Sequence, residues 1–367
     1  MAKYLLSKTD KLRYFRKQLS FHNKLRSSIA ARIRYHFCNE DLKNSLKKAI
    51  KEMRGDSYEL DWVRDKEFIL DWLFCREFYA IQTDEYQAFR SSKLNDKEKL
   101  DYVGWLELGY YDMLLNEQGN PHVFELKEKT SEVFDSFYGR EVVAVHSDQD
   151  IDKVSSFFER HGAGIVKPNA EYGGHGIAIY RITDTQTFEQ IWDELEKKIP
   201  FVVEELIDQA PEMSAFYPHA VNTIRYNTFF HDGKLTKLQA VLPMGTGHSE
   251  VDNASSGGIF ARVDTDTGRV TGPARNLRGE TFETHPDTGI QFEGSVIPRW
   301  DELNQLLEKV VRVVPEQKQV GWDFALSKNG WIMVEGNATP MYQQFDPEHG
   351  LRETVKSTFG QVIKMWG

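Results

Sequence analysis

One polar hairpin late in the chain constrains its fold and its chemistry most. Residues 320–340 read VGWDFALSKNGWIMVEGNATP, two apolar runs around an Asn-Gly turn signal. A three-residue loop, residues 328–330 with the glycine in the left-handed conformation, pairs Asp323 opposite Glu335 and puts Asn337 on the same face. A two-residue loop would instead send the two acids to opposite faces of the hairpin.

These three side chains predict a metal site. Asp323 and Glu335 would each bring a carboxylate among apolar neighbours, and Asn337 would add an amide oxygen. Buried carboxylates are costly without a partner, so the cluster implies a hard cation with oxygen ligands, most naturally Mg²⁺ carrying phosphate. The alternative is a surface hairpin whose acids are simply solvated.

The composition bounds the class of protein. A chain of 367 residues is long enough for two or three subdomains, and 40% hydrophobic with 28% charged residues is ordinary for a globular protein. The sequence has no run of 18 apolar residues and no apolar signal-peptide core at its start. Cys38 and Cys75 are too few for a disulfide framework. We therefore expect a cytoplasmic location.

A basic arm precedes an acidic body. Residues 1–54 carry 15 Lys and Arg against 4 Asp and Glu, whereas the remainder carries 31 against 52. The arm, residues 1–55, reads as helical because its apolar residues recur at near-helical spacing: Leu12, Phe15, Leu19, Leu25, Ile29 and Ile33. Such an arm can lie on an anionic membrane or contact a partner. The favoured interpretation is that its apolar stripe packs on its own body, and no nucleic-acid-binding motif is present.

Three lysines lie at or just after the ends of predicted strands. Lys127 and Lys129 stand at the polar end of a predicted strand, residues 122–126. Lys167 lies in a second short β-rich run, residues 164–168. A fixed ammonium group at such a strand end is suited to a phosphate.

A glycine-rich loop, EYGGHG, follows Lys167 directly. It joins residues 164–168 to another predicted strand, residues 177–181, so the unit is a hairpin flap whose backbone N–H groups can approach an anion. It is not a P-loop, because neither Gly-Lys-Ser/Thr nor a helix follows. A plain turn is the competing interpretation. The loop residues that could touch phosphate are Gly173, Gly174, His175 and Gly176.

Two further strands and a loop complete the pattern. Residues 201–207, FVVEELI, are typical of an edge whose backbone pairs with a flat heterocycle, although ordinary strand-end acids would look the same. Residues 221–230 alternate like a strand and carry Arg225, which could neutralise a transferring phosphate or form a structural ion pair. Residues 251–260, with Asn253, form a glycine-rich loop that could close on substrate or be a surface turn.

The order of these pieces resembles the ATP-grasp superfamily from about Lys127 to Pro340. The short motifs NTIR, VDN, SGG, HPDTG, GWD and EGNATP resemble those of the sugar-transfer-associated ATP-grasp group. The resemblance implies an α+β fold in which two subdomains clamp ATP. It divides the chain into the arm, an aromatic-rich helical region (56–120), a small subdomain with the glycine flap (121–210) and a large subdomain with the metal site (211–367).

The resemblance also implies roles for individual residues. Lys127 or Lys129, together with Lys167, would hold ATP phosphates beneath the flap, and Arg225 would meet the γ-phosphate. Asn253 would belong to the catalytic set. Adenine would lie against a hinge formed by Glu204, Glu205 and Leu206, ribose against Glu212, and Mg²⁺ on Asp323, Glu335 and Asn337.

The activity implied by the resemblance is carboxylate–amine ligation through an acyl phosphate. The expected substrates are a sugar acid of a cell-surface polysaccharide precursor and an amine. Two alternatives stay open at this point. One is transfer of phosphate to a sugar hydroxyl on the same clamp, and the other is a nucleotide-binding docking module with little turnover.

Overall fold

Two antiparallel sheets organise the chain in a computed structural model that describes residues 24–54, 57–89, 91–116, 119, 122–170, 176–249, 251–252, 257–344 and 350–363. The strands are β1 (Val142–Val145), β2 (Ala163–Pro168), β3 (Ala178–Arg181), β4 (Phe201–Glu204), β5 (Thr223–His231), β6 (Lys234–Met244), β7 (Ile259–Val263), β8 (Ala274–Arg275), β9 (Thr281–Phe282), β10 (Gln319–Ser327) and β11 (Gly330–Asn337). The small sheet has the order β1-β4-β2-β3, and the large sheet has the order β11-β10-β5-β6-β7-β8-β9.

Helices precede, cover and follow the sheets. They are α1 (Lys24–His36), α2 (Glu40–Arg54), α3 (Lys66–Tyr79), α4 (Thr83–Ala88), α5 (Asp96–Asp101), α6 (Trp105–Leu115), α7 (His122–Glu125), α8 (Lys127–Val133), α9 (Asp135–Tyr138), α10 (Ile151–His161), α11 (Phe188–Leu195), α12 (Pro211–Ser214), α13 (Trp300–Val310) and α14 (Arg352–Phe359). Within the described ranges, none of the helices combines the length and the apolar character needed to cross a bilayer. The segregated helices and antiparallel sheets make the fold α+β.

The small sheet packs one face against α10 and α11. Val166 and Val203 lie in the same buried cluster as Phe157 and Phe158 of α10 and Ile191 of α11. The opposite face is therefore left for Lys167, which follows Val166 in β2 and points the other way. The packing of the small sheet thus fixes which side can meet a ligand.

The large sheet has one apolar face and one polar face. Trp322 and Phe324 of β10 and Tyr226 of β5 belong to the main core, which also contains residues of α13. Asp323 and Arg225 alternate with these positions and are register partners on adjacent strands. The strict alternation along β5 and β10 thus places the charged residues together on the face away from α13.

The N-terminal helices form a separate aromatic core, but one predicted contact is absent from it. Ala31 and Tyr35 of α1 are buried in the same cluster as Trp72 and Tyr79 of α3. The interpretation that the apolar stripe packs on its own body is wrong for Leu25, Ile29 and Ile33, because all three are exposed. A different face of α1 makes the packing. The predicted stripe residues Leu12, Phe15 and Leu19 lie outside the described residues.

The predicted strand at residues 122–126 is also wrong, since His122–Glu125 is helix α7. Val123 and Phe124 are both buried, as consecutive helical residues can be, whereas a half-buried strand would alternate. The His122 ring and the Glu125 carboxylate pair across one turn at 2.8 Å. Lys127 accordingly begins helix α8 and does not follow a strand.

The other predicted elements are confirmed with small shifts of boundary. The expected strands at 164–168, 177–181 and 221–230 correspond to β2, β3 and β5. The run 201–207 is a strand only as far as Glu204. These agreements set the framework in which the candidate site lies.

The first prediction concerns Gly104, at the start of α6. A Cβ on Gly104 would overlap the backbone carbonyl of Ala80, which cannot move without shifting the end of α3. We expect Gly104→Ala to lower the free energy of unfolding by about 1–3 kcal/mol because of this overpacking. The matched control is Gly109→Ala in the same helix, where a Cβ meets nothing within 4 Å. Equal denaturation midpoints for the two variants would contradict the expected contact.

Candidate active site

The β10–β11 hairpin brings its two acids together by a route that differs from the predicted one. Ser327 pairs with Gly330, so the loop has two residues, and the prediction of a three-residue loop is wrong. The register then shifts between Asp323 and Phe324, and one extra residue of β11 forms a β-bulge. Asp323 therefore still pairs with Glu335, as the sequence predicted, and the bulge supplies the residue that the loop lacks.

Arg225 joins this pair from the neighbouring strand. Its Nε donates to Asp323 Oδ1, and its Nη2 donates to Asp323 Oδ2 at 2.6 Å. The same Nη2 lies 3.8 Å from Glu335 Oε1. Asn337 Nδ2 donates to Glu335 Oε1 at 3.2 Å. Four predicted site residues thus form one cluster on the polar face of the large sheet.

The two carboxylates of the cluster have opposite pKa shifts. Burial raises the pKa of Asp323 to about 7, and Glu335 acts in the same direction, against the opposing charge of Arg225. Burial also opposes ionisation of Glu335, but Arg225 and Lys167 outweigh it and lower the pKa of this carboxyl. The single positive charge of Arg225 therefore does not balance both adjacent acids when both are ionised.

The donor set fits a hard divalent cation. Asp323 and Glu335 offer carboxylate oxygens, and Asn337 can offer its amide oxygen because its nitrogen faces Glu335. Glu335 is the accessible ligand, with its side chain 38% exposed against 8% for Asp323. A cation at this point would relieve the repulsion between the two acids. Among the described residues, no cluster of three or more His, Cys, Asp or Glu side chains could hold a metal ion.

A second charged cluster lies on the small sheet. Lys167 Nζ donates to Glu204 Oε2 at 2.8 Å, and Arg140 Nε and Nη2 donate to the same oxygen at 2.9 and 2.6 Å. Burial would raise the pKa of Glu204, but Arg140 and Lys167 outweigh it and lower that pKa to about 2. Glu204 is thus an ionised, buried anchor for Lys167.

Arg140 connects the two clusters, and no pattern in the sequence indicated it. Its Nη1 donates to Met333 O at 2.7 Å, and its Nη2 donates to Val334 O at 3.1 Å. These carbonyls belong to the bulged part of β11, immediately before Glu335. One guanidinium therefore binds Glu204 of the small sheet and the bulge of the large sheet, and it fixes Lys167 relative to the predicted metal ligands.

The structure separates Lys127 from Lys129. Lys127 N donates to Asn169 O at 3.0 Å, two residues beyond Lys167, whereas Lys129 forms an exposed surface pair with Glu132. Asn169 Oδ1 also accepts from Glu128 N at 3.2 Å. The backbone at the start of α8 is thus attached to the end of β2, and which of the two lysines holds phosphate stays a prediction.

The glycine flap is described only at its end. Gly176 has φ +74° and approaches Pro168 so closely that a Cβ would lie 2.8 Å from Pro168 Cγ. The paired strands β2 and β3 form the base of the flap, as predicted. Three predicted phosphate-contact residues lie outside the described residues: Gly173, Gly174 and His175.

The predicted hinge residues separate into different environments. The Glu204 side chain turns inward to Lys167, so this residue could contribute only its backbone to an adenine contact. Glu205 Oε2 accepts from Glu141 N at 3.2 Å, and Glu205 N donates to Glu141 O at 2.9 Å. Leu206 follows directly, after β4 ends, and is half-buried.

Glu212 lies towards the turn end of the β10–β11 hairpin, whereas the charged residues of the hairpin lie at its other end. It is exposed and interacts with Arg299, whose carbonyl accepts from Trp331 Nε1 at 3.0 Å. Trp331 lies beside the turn of the β10–β11 hairpin, whereas Asp323 lies beyond the bulge. The ribose role of Glu212 stays a prediction.

Asp252 is a site residue that the sequence reasoning missed beside Asn253. Its Oδ2 accepts from Thr223 N at 3.1 Å and Thr223 Oγ1 at 2.7 Å, at the start of β5. Burial raises the pKa of Asp252, and Arg225 opposes that shift. Asn253 lies outside the described residues, and its neighbour Asp252 is bonded to the start of the strand that carries Arg225.

The HPDTG motif bonds to the segment of chain that precedes Asp252. His285 Nε2 pairs with Gly245 O at 3.0 Å, and Asp287 Oδ2 accepts from Gly247 N at 2.7 Å. Tyr217 OH donates to Gly247 O at 3.0 Å. The motif therefore positions the segment that leads into Asp252, and burial lowers the pKa of His285 so that its ring is neutral.

Comparison with known proteins identifies the family. The sequence profile described as sugar-transfer associated ATP-grasp matches residues 111–359. The fold is therefore an ATP-grasp fold, with the two charged clusters on its two sheets. Because the match covers well over half of the 367 residues, the chain belongs to the sugar-transfer associated ATP-grasp family. No curated protein sequence matches it significantly.

Solved structures with a similar arrangement are distant. D-alanyl-alanine synthetase A from Vibrio cholerae shares 13% identity over 65% of this chain and 65% of its own, with a TM-score of 0.40. An L-amino acid ligase from Bacillus licheniformis shares 10% over 70% and 52%, also at 0.40. N5-carboxyaminoimidazole synthetase from Staphylococcus aureus complexed with ADP shares 11% over 72% and 59%, at 0.40. The chain thus spans about half to two thirds of these proteins.

The second prediction tests Arg140 as the connection between the sheets. In Arg140→Met, Glu204 keeps only Lys167, and the carbonyls of Met333 and Val334 lose their donor. We expect the free energy of unfolding to fall by about 3–5 kcal/mol, as for a broken buried ion pair. Arg160→Met is the control, because its pair with Glu141 is exposed and should contribute less than about 1 kcal/mol. Similar losses in the two variants would contradict the role of Arg140.

The third prediction concerns acid stability. Since the folded state lowers the pKa of Glu204 to about 2, its contribution is complete above the unfolded pKa of about 4.3 and is lost as the pH falls towards 2. We expect Glu204→Gln to be less stable than the wild type at pH 6, with the difference shrinking between pH ~5 and ~2. Urea titrations across this range measure it, and a constant difference would refute the assignment.

Proposed function

We propose that the protein is an ATP- and Mg²⁺-dependent carbon–nitrogen ligase that joins a carboxylate to an amine through an acyl phosphate. The observation that carries the proposal is the pair of charged clusters, Lys167–Glu204 and Arg225–Asp323–Glu335, joined by Arg140. One cluster offers a lysine for phosphate, and the other offers an arginine beside oxygen ligands for a metal. Membership of an ATP-grasp family supports the nucleotide.

The residues of the chain supply positioning and charge. Lys167, held by Glu204, would bind phosphate oxygens of ATP. Lys127 could assist, because its backbone is bonded to Asn169, two residues beyond Lys167. Arg225 would balance the negative charge that develops at the γ-phosphate. Asp323, Glu335 and Asn337 would hold Mg²⁺, which supplies positive charge to the phosphates when bound.

Little general-base chemistry is needed for the first step. The substrate carboxylate is already ionised, and its oxygen attacks the γ-phosphorus while ADP leaves with the electrons of the broken P–O bond. The amine then attacks the acyl carbon, inorganic phosphate leaves, and the amine nitrogen loses a proton to give the amide. Alignment and electrostatic stabilisation therefore account for most of the rate.

For the substrate we propose a sugar acid, such as a uronic acid used in cell-surface polysaccharide synthesis, and an amino acid or other amine. The description of the family as sugar-transfer associated supports this choice. We place the reaction in the cytoplasm, where ATP is available, and the free thiols of Cys38 and Cys75 suit a reducing compartment.

One observation favours a second candidate, phosphate transfer to a sugar hydroxyl. A hydroxyl acceptor needs a base near the γ-phosphate, and Asp252 is a half-buried carboxyl with a raised pKa near Arg225. Thr223 already donates twice to this carboxylate, which also suits a purely structural role. The reaction products distinguish these possibilities.

The fourth prediction tests ligation directly. The full chain is incubated with ATP, Mg²⁺ and a pool of sugar acids, with and without hydroxylamine, and ADP and hydroxamate are measured. A ligase yields hydroxamate because hydroxylamine intercepts the acyl phosphate. A stable sugar phosphate without hydroxamate would support the phosphotransferase instead.

Matched variants link the activity to the site. Glu335→Gln keeps the shape of a metal ligand but removes its charge, so we expect turnover to fall by at least about two orders of magnitude. Glu302→Gln is the control, because Glu302 forms an exposed pair with Arg299 on α13. Full activity in Glu335→Gln would refute the metal site, and the absence of any ADP release in the wild type would refute the proposed function.

A further inference from the structure

The outer face of α1 carries a continuous apolar stripe. Leu25, Ile29, Ile33 and Phe37 recur every four residues, which places them along one side of the helix and the residue after it. Their exposed fractions are 73%, 50%, 55% and 81%. The stripe is about 18 Å long at 1.5 Å per residue. Four large apolar side chains in line differ from the scattered exposed residues that are normal for a surface.

The helix is fixed to the body, so the exposure is a property of the folded protein. Tyr35 is buried on the opposite side, its OH donates to Trp62 O at 2.5 Å, and its ring stacks on the Trp62 ring. Trp62 Nε1 donates back to Tyr35 O at 3.1 Å. Arg34 is ion-paired with Glu77 of α3. These contacts hold α1 with its stripe facing outwards.

Positive charge accompanies the stripe. Arg32 is exposed and falls on the same side of α1, at a helical position between the apolar residues. Lys47, Lys48 and Lys51 of α2 are also exposed. Residues 1–54 carry a net charge of +11, while the remaining residues carry −21. The basic residues are therefore concentrated in the part of the chain that carries the exposed apolar surface.

We propose that the α1 stripe, formed by Leu25, Ile29, Ile33 and Phe37, docks the protein on the surface of an anionic phospholipid membrane. Apolar side chains would enter the boundary between headgroups and acyl chains, and Arg32, on the same side of the helix, would face the lipid phosphates. The charge favours lipid over a second copy of this chain, because two copies would bring two arms of +11 together. This surface lies outside the charged clusters of the proposed active site.

Vesicle sedimentation of the full chain tests the proposal. One set of vesicles contains phosphatidylcholine alone, and the other contains about one third phosphatidylglycerol. We expect binding to the anionic vesicles, little binding to the neutral ones, and weaker binding as salt is raised. Thermal unfolding followed by circular dichroism confirms that each variant is folded, which is expected since the substituted positions are exposed.

Two double variants with the same change of charge separate the stripe from general electrostatics. Ile29→Glu with Ile33→Glu places acids in the stripe, and we expect anionic-vesicle binding at least tenfold weaker. The attraction of one charged residue to an anionic membrane changes binding about fivefold. Val63→Glu with Val296→Glu places acids at two exposed valines outside the stripe and should bind much better than the stripe variant.

Three results would overturn the proposal. The first is no binding of the wild type to anionic vesicles, and the second is equal binding of the two double variants. The third is a lipid-free dimer that the stripe variant alone disrupts, which would make the stripe an interface between copies. ADP release measured without vesicles is independent of all three, so a failure here leaves the proposed ligase activity untouched.

Discussion

The bond network of Arg140 is the interaction on which the rest of the candidate site depends. Its guanidinium reaches Glu204 in one sheet and two backbone carbonyls in the other. Glu204 in turn holds Lys167, and the carbonyls precede Glu335 in β11. Because a planar guanidinium has several donors in fixed directions, it can hold both partners at a defined separation, as a flexible lysine could not. The geometry between Lys167 and Glu335, the proposed phosphate-binding lysine and the proposed metal ligand, is thereby set by one side chain.

Much of the site was predictable, because the informative residues alternate on strands. Arg225 and Asp323 follow from the period of two in runs whose apolar neighbours are easily recognised. The pairing of Asp323 with Glu335 was predicted correctly, yet for a wrong reason, since neither the two-residue turn nor the bulge has a distinctive sequence. Arg140 was missed because it lies in a connecting segment, where a single arginine carries no periodic signal. Its partners, Glu204 and the carbonyls of Met333 and Val334, are distant from it in the sequence and come close to it only in the folded chain.

The errors in the fold have a common cause. Residues 122–126 contain a short apolar run whose period cannot distinguish a strand from a buried helical turn, and the surrounding core selects the helix. In α1 the small Ala31 and the hydrogen-bonded Tyr35 make the packing contact, so the larger apolar side chains face outwards. Hydrophobicity alone ranks Leu25 and Ile29 above Ala31, and it therefore selects the wrong face. In both cases the packing around the segment decided the outcome, and a pattern of apolar residues in the sequence does not contain that packing.

The bulge in β11 also has a consequence for how this hairpin can change over time. Turn length and strand length together set which residues stand opposite Asp323, and here the surplus residue is stored in the strand near Val334. A descendant could gain one residue at the turn and lose one at the bulge, and its acids would still face each other. The cost of that exchange would fall on Arg140, which binds the carbonyls at the bulge. Indels in this hairpin are therefore tolerable only in compensating pairs that preserve those two acceptors.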